Sequence, residues 1–154
     1  IYDLSSGKLE KIPDLKAYYL SRRWSDWLAW LHEPVNPPES KNDTVKTEKR
    51  KKESPENGSK LVIRHLPSGA DTRVDYVTAV TMAERQPVFL LAATGSDSTF
   101  PPGVYRFDGE SRQLSPAYTG KAKFKHLSLD EQGRQAAFLA DRDTTKARIR
   151  PWDL

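Results

Sequence analysis

Val88-Phe89-Leu90-Leu91-Ala92-Ala93 is apolar at every position, with Pro87 before it and Thr94-Gly95 after it. The run is too short for a helix of ordinary length. Its lack of alternation implies a strand buried on both faces. Two further runs match it, Trp27-Leu28-Ala29-Trp30-Leu31 upstream and Ala136-Ala137-Phe138-Leu139-Ala140 downstream. Each is expected to be covered on both faces. Trp27 and Trp30 fall on opposite faces of their strand, where both can pack between neighbouring sheets.

Each run is preceded by another strand-like stretch: Leu15–Leu20, Tyr76–Met82 and Lys123–Leu127. Turn-like residues separate two of these pairs, Ala83-Glu84-Arg85-Gln86 and Asp130-Glu131-Gln132-Gly133. Hairpin signatures recur as well. Ile1-Tyr2-Asp3-Leu4, Val62-Ile63-Arg64-His65-Leu66 and Val104-Tyr105-Arg106-Phe107-Asp108 each run into a turn containing Gly7, Gly69 or Gly109. Returning strands follow at Leu9–Ile12, Thr72–Val74 and Arg112–Leu114. Arg148–Leu154 reads as a fourth such strand that stops where its turn would begin. The unit is thus a hairpin, a third strand, then the apolar strand. Gly69 and Gly109 lie 40 residues apart, the period of a propeller blade. The chain is expected to be all-β: a partial β-propeller over residues 1–154, with about three four-stranded antiparallel blades. A β-sandwich also spaces short strands regularly, but has no reason to repeat this order with the apolar strand last.

Gly7 and Gly69 are 62 residues apart, and the excess falls in residues 35–60. That segment holds Pro37-Pro38, the run Lys49-Arg50-Lys51-Lys52 and almost nothing apolar beyond Val35 and Val45. It cannot bury enough surface to offset its ordering entropy, and reads as a flexible charged insertion loop. Glu48 and Glu53 dilute the basic run, so a solvated loop accounts for it better than a nucleic-acid patch. Asn42-Asp43-Thr44 and Asn57-Gly58-Ser59 match the glycosylation tripeptide, a pattern short enough to arise by chance.

Composition excludes several classes. Lysine and arginine number 25 against 21 aspartates and glutamates, a net charge of +4 with the signs interspersed. Nucleic-acid binding needs a basic face, so no nucleic-acid partner is expected. There is no cysteine, which removes thiolate nucleophiles, disulfides and cysteine zinc sites. No apolar run approaches the ~20 residues of a membrane span. The chain opens without methionine or a signal-like segment and starts within a strand. It therefore reads as part of a longer protein, with any targeting signal elsewhere.

Catalytic chemistry is sparse. The Gly-x-Ser-x-Gly elbow of serine hydrolases does not occur. Ser96 follows Gly95 and Ser111 follows Gly109 by two, but neither has the second glycine, and both read as turn residues. His32, His65 and His126 are isolated in or beside strands and show no metal-ligand spacing. Asp141-Arg142-Asp143 lacks the later residues of a calcium loop, and Gly120-Lys121-Ala122 is not a phosphate loop. No metal and no cofactor are expected. Trp24 stands just ahead of its strand and is the candidate for an exposed binding surface.

The order of these segments resembles the propeller of the prolyl oligopeptidase family, serine peptidases of the α/β-hydrolase class. The resemblance rests on Tyr2-Asp3-Leu4-Ser5-Ser6-Gly7-Lys8, on Trp27–Leu31 leading to Glu33-Pro34, and on the charged insertion. It continues through Leu61–Leu66 with Gly69, Gly103-Val104-Tyr105, and Asp130-Glu131-Gln132-Gly133 leading to Ala137–Asp141. The resemblance implies a non-catalytic segment that gates access and filters peptide substrates. The α/β-hydrolase domain with its triad, and the remaining blades, would lie outside this chain and be its partners. Export of the parent to a bacterial periplasm or beyond goes with the same resemblance. Open propeller edges would favour self-association. The alternative is a stand-alone propeller-type interaction module with no attached hydrolase.

Overall fold

A computed structural model describes residues 1–4, 6–24, 26–33, 58–95 and 100–142. Among these residues the chain is all β, without a helix. The strands are β1 (Leu15–Leu20), β2 (Trp27–His32), β3 (Ser59–His65), β4 (Ala70–Met82), β5 (Val88–Ala93), β6 (Gly103–Asp108), β7 (Gln113–Thr119), β8 (Lys123–Leu129) and β9 (Ala136–Asp141). β1 to β7 form one sheet in sequence order, β8 and β9 a second. Every pairing is antiparallel.

The long strand β4 serves two groups. Residues Ala70–Val77 pair with β3, and Val77–Met82 pair with β5. Between the halves Tyr76 takes a left-handed φ of 62°, and the register shifts between Val77 and Ala79. A bulge with a left-handed residue bends a strand and sharpens its twist. The pairings therefore divide into β1-β2-β3 with the first half of β4, the second half of β4 with β5-β6-β7, and β8-β9. This corrects the order read from the sequence. Each hairpin completes the unit whose apolar strand precedes it, because β2 pairs with β3 and β5 with β6.

The groups stack through two separate cores. The first joins Ala29, Leu31, Leu61 and Ile63 of β2–β3 to Phe89, Leu91, Tyr105 and Phe107 of β5–β6. The second joins Leu90, Ala92 and Val104 to Phe124 and Ala140. Alternation along β5 sends Phe89, Leu91 and Ala93 into one core and Leu90 and Ala92 into the other; with Val88 also covered, the whole strand is buried.

β2 and β9 do not match that expectation. Leu28 is only half-buried; Ala136 and Ala137 are exposed, and Phe138 and Leu139 are half-buried. The reason is position: among the described residues β5 is in the middle layer, whereas β2 and β9 have a packed neighbour on one side. Trp30 escapes exposure on the outer face because the Arg64 guanidinium lies 4.9 Å from its ring centroid.

Two boundaries also move. β3 starts at Ser59, so the last two residues of the segment 35–60 are strand; residues 35–57 lie outside the described residues, as does the strand expected at Arg148–Leu154. The turn glycines are not all equivalent. Gly69 (φ 68°) precedes Ala70, which pairs with His65. The residue in that place in the next hairpin is Arg112 (φ 56°), preceding Gln113, which pairs with Asp108. The spacing of these turns is thus 43 residues rather than 40. Gly109 answers to packing instead: a Cβ there would stand 2.7 Å from the Pro87 carbonyl oxygen.

Candidate functional site

The turn between β1 and β2, the turn between β4 and β5, and the tips of the β3–β4 and β6–β7 hairpins meet around a cavity of about 410 Å³. Trp24, Trp27, His65, Arg85 and Arg112 line it. Trp24 is half-buried rather than fully exposed. Its indole Nε1 donates to the Ala83 carbonyl at 3.3 Å, and its ring meets Phe89 edge-on at 5.6 Å. The residue thus anchors its turn to the first core while presenting surface to the cavity.

Trp27, 4% exposed, forms the inner wall. Its ring stands 5.5 Å from Phe107 and 4.8 Å from His65. Arg112 donates from Nη2 to His65 Nδ1 at 3.1 Å, and Ser68 Oγ lies 2.7 Å from the same nitrogen. Adjacent turns are tied by ion pairs, Arg23 to Glu84 at 3.2 Å and Arg85 to Glu131 at 2.8 Å. Both pairs are more than half exposed, so each contributes about 0–1 kcal/mol and aligns the turns more than it stabilises them.

A wider groove of about 960 Å³ runs over the outer face of β2–β3, beneath residues Glu10–Asp14. Arg64 dominates it. The guanidinium pairs in a fork with both Asp71 oxygens, at 2.6 and 3.0 Å, and also donates to Glu10. The fork holds the Asp71 carboxyl below its ordinary value, against an opposing effect of burial, and raises Arg64 above its own. With two carboxylates and a tryptophan ring around it, Arg64 has its charge satisfied inside the protein. The arrangement fastens the chain before β1 onto the first sheet.

The other candidate residues are dispersed. His32 Nε2 accepts from Trp30 Nε1 at 3.0 Å, and its Nδ1 lies 3.2 Å from the Pro13 carbonyl oxygen. His126 is exposed at a bulge of β8 with φ 53°. Ser111 is a turn residue, its backbone N–H donating to Asp108 Oδ1 at 3.1 Å. Ser96, Asp143 and Trp152 lie outside the described residues. Among the described residues no group of three or more His, Asp or Glu could hold a metal ion, and no helix is long and apolar enough to cross a membrane.

Sequence reading picked Trp24 and missed Trp27, His65 and Arg112 as its companions in one cavity. The signal for Arg112 was its place in the turn, where the other hairpins put glycine.

Comparison with known proteins finds no matching family model, curated protein or solved structure.

Proposed function

We propose that this chain is a non-catalytic segment of a β-propeller, built of two four-stranded blades and the first strands of a third. In a larger serine peptidase it gates access to an α/β-hydrolase domain and filters the peptides that reach it. The observation that carries the propeller reading is the stacking at β5: Phe89, Leu91 and Ala93 pack toward one sheet, Leu90 and Ala92 toward another. Stacked sheets of four antiparallel strands, joined in sequence, are the architecture of blades about an axis. The free edges agree with it. Among the described residues, β1 pairs with β2 alone, the second half of β4 with β5 alone, and β8 with β9 alone, as expected of inner strands lining a channel.

The peptidase half of the reading is supported by the resemblance to the prolyl oligopeptidase family. It carries with it the partners named above: the hydrolase domain, the remaining blades and peptide substrates. The isolated chain is assigned no hydrolytic activity. The test is to sequence the gene past Leu154 and assay the full-length product on short peptides. A downstream Gly-x-Ser-x-Gly followed by Asp and His, with peptide hydrolysis abolished by changing that serine, is the expected result. A reading frame without such a triad rejects the peptidase reading.

A further inference from the structure

We infer that the cavity between the β1–β2 turn and the β6–β7 hairpin tip is a peptide carboxylate site. Its donors are the Trp27 indole N–H and the Arg112 guanidinium, and the Trp24 ring is the wall for a neighbouring apolar group. The inference goes beyond the peptidase reading, since both of the units that form the cavity belong to this chain. A free-standing module would carry it equally.

Two independent observations point to a ligand. The first is the Trp27 N–H. The other two described indoles have partners, Trp24 on Ala83 and Trp30 on His32; Trp27 has none among the described residues. Burying a donor without a partner is costly. Among the described residues, Ser59 Oγ is the side-chain polar atom that is both enclosed and unpartnered. The unpartnered Trp27 N–H is therefore not enclosed. On a residue only 4% exposed, it opens onto the cavity that Trp27 lines. Gly109 stands beside it: a Cβ there would come 3.0 Å from Nε1 and 2.7 Å from the Pro87 carbonyl oxygen, so a residue with a side chain would crowd the N–H.

The second observation is Arg112. Its φ of 56° is a conformation that L side chains adopt at a cost and glycine adopts freely. Gly7 and Gly69 fill the matching place in the other two hairpins. A side chain kept where glycine is easier marks a position used for something other than the turn. Arg112 makes no ion pair among the described residues, and its one hydrogen bond, to His65, leaves further guanidinium donors free. Guanidinium and indole N–H groups both donate and cannot accept, so the ligand group is an acceptor, and an anionic one is favoured. Asp26 and Glu110 also line the cavity, and Arg85 is already paired with Glu131. These carboxylates weigh most against a dianionic phosphate, so the acceptor is at most singly charged and is held by the two donors directly.

The experiment follows the Trp27 indole cross-peak in ¹H–¹⁵N spectra, assigned with Trp27→Phe. The probes are N-acetyl-Phe-Gly with a free terminal carboxylate, its C-terminal amide, and N-acetyl-Phe-Asp-amide. The expected result is a saturable shift with the free acid and at least about tenfold weaker binding of the amide. A saturable shift with the aspartyl probe extends the site to side-chain carboxylates; its absence restricts the site to chain termini. Arg112→Gly keeps the turn and should weaken acid binding at least about tenfold without lowering the melting temperature. A Trp27 signal unmoved by both carboxylates, equal shifts from acid and amide, or unchanged binding by the Arg112→Gly protein would overturn the inference.

Discussion

Phe89 and Leu90 are neighbours in the chain and belong to different cores. Phe89 packs with Trp24 and Phe107 in the core toward β2–β3. Leu90 packs with Val104, Phe124 and Ala140 in the core toward β8–β9. Both side chains are essentially inaccessible, at 0% and 1% exposure. A strand reaches this state only when sheets cover both of its faces.

Truncation at these two positions should therefore cost heavily. Phe89→Ala should destabilise by about 3–5 kcal/mol and Leu90→Ala by about 2–5 kcal/mol, the range for buried large-to-small changes. Because the two side chains pack in different cores, the double variant should lose more stability than either single variant. Urea denaturation of the three variants measures this.

The contact between the second and third units can be tested at a glycine. Gly133 has a φ of 69°, and a Cβ there would come 2.7 Å from the Val88 Cβ. Gly133→Ala would pay twice, in backbone strain and in a clash against the buried start of β5. We expect a loss of about 2 kcal/mol or more, seen as a lower urea midpoint. In contrast, Gly69→Ala meets nothing within 4 Å and should cost only the strain of its turn.

Acid should destabilise the fold through its carboxylates. The Arg64 fork holds Asp71 below its ordinary value. Asp108 is held down first by the Ser111 backbone N–H and then by Arg106. Asp130 is held down by the backbone N–H groups of Gln135, Arg134 and Gln132. A depressed folded-state value means that the stabilisation is complete above the unfolded carboxylate range, near pH 4, and is lost as pH falls through the lower folded value. Unfolding free energy should hold from pH 7 to about 5 and decline below about 4. Asp71→Asn should flatten that decline while lowering stability at pH 7, because Arg64 loses its fork.

The outer face of the first sheet predicts self-association. Tyr18 is 67% exposed and Leu20 is 49% exposed, on a strand whose second edge is unpaired among the described residues. Exposed apolar edge strands pair with other chains. Sedimentation velocity should show a concentration-dependent dimer that Tyr18→Lys with Leu20→Lys shifts toward monomer. A monomer at every concentration would remove this face as a docking surface.

Much of the fold is legible in the sequence because strand burial writes itself as apolar runs. Leu15–Leu20, Val88–Ala93 and the core of β9 stand where the runs place them. Two features are not local. Which outer runs lack a second covering sheet depends on neighbours far away in the chain, so Leu28 and Phe138 read as fully buried and are not. The division of β4 at Tyr76 and the equivalence of Gly69 with Arg112 are set by backbone dihedrals that neither residue type announces. The candidate site was half visible for the same reason. Trp24 stands out beside its strand, whereas the cavity that brings Trp27, His65 and Arg112 to it exists only once the two units are stacked.

The central claim is that β5 lies between two packed layers, and its most direct test is side-chain proximity in solution. Nuclear Overhauser contacts should connect the Leu90 methyls to Phe124, Val104 or Ala140, and the Phe89 ring to Trp24 and Phe107. Leu90 methyls in contact with water, or sharing contacts with the Phe89 set, would contradict it.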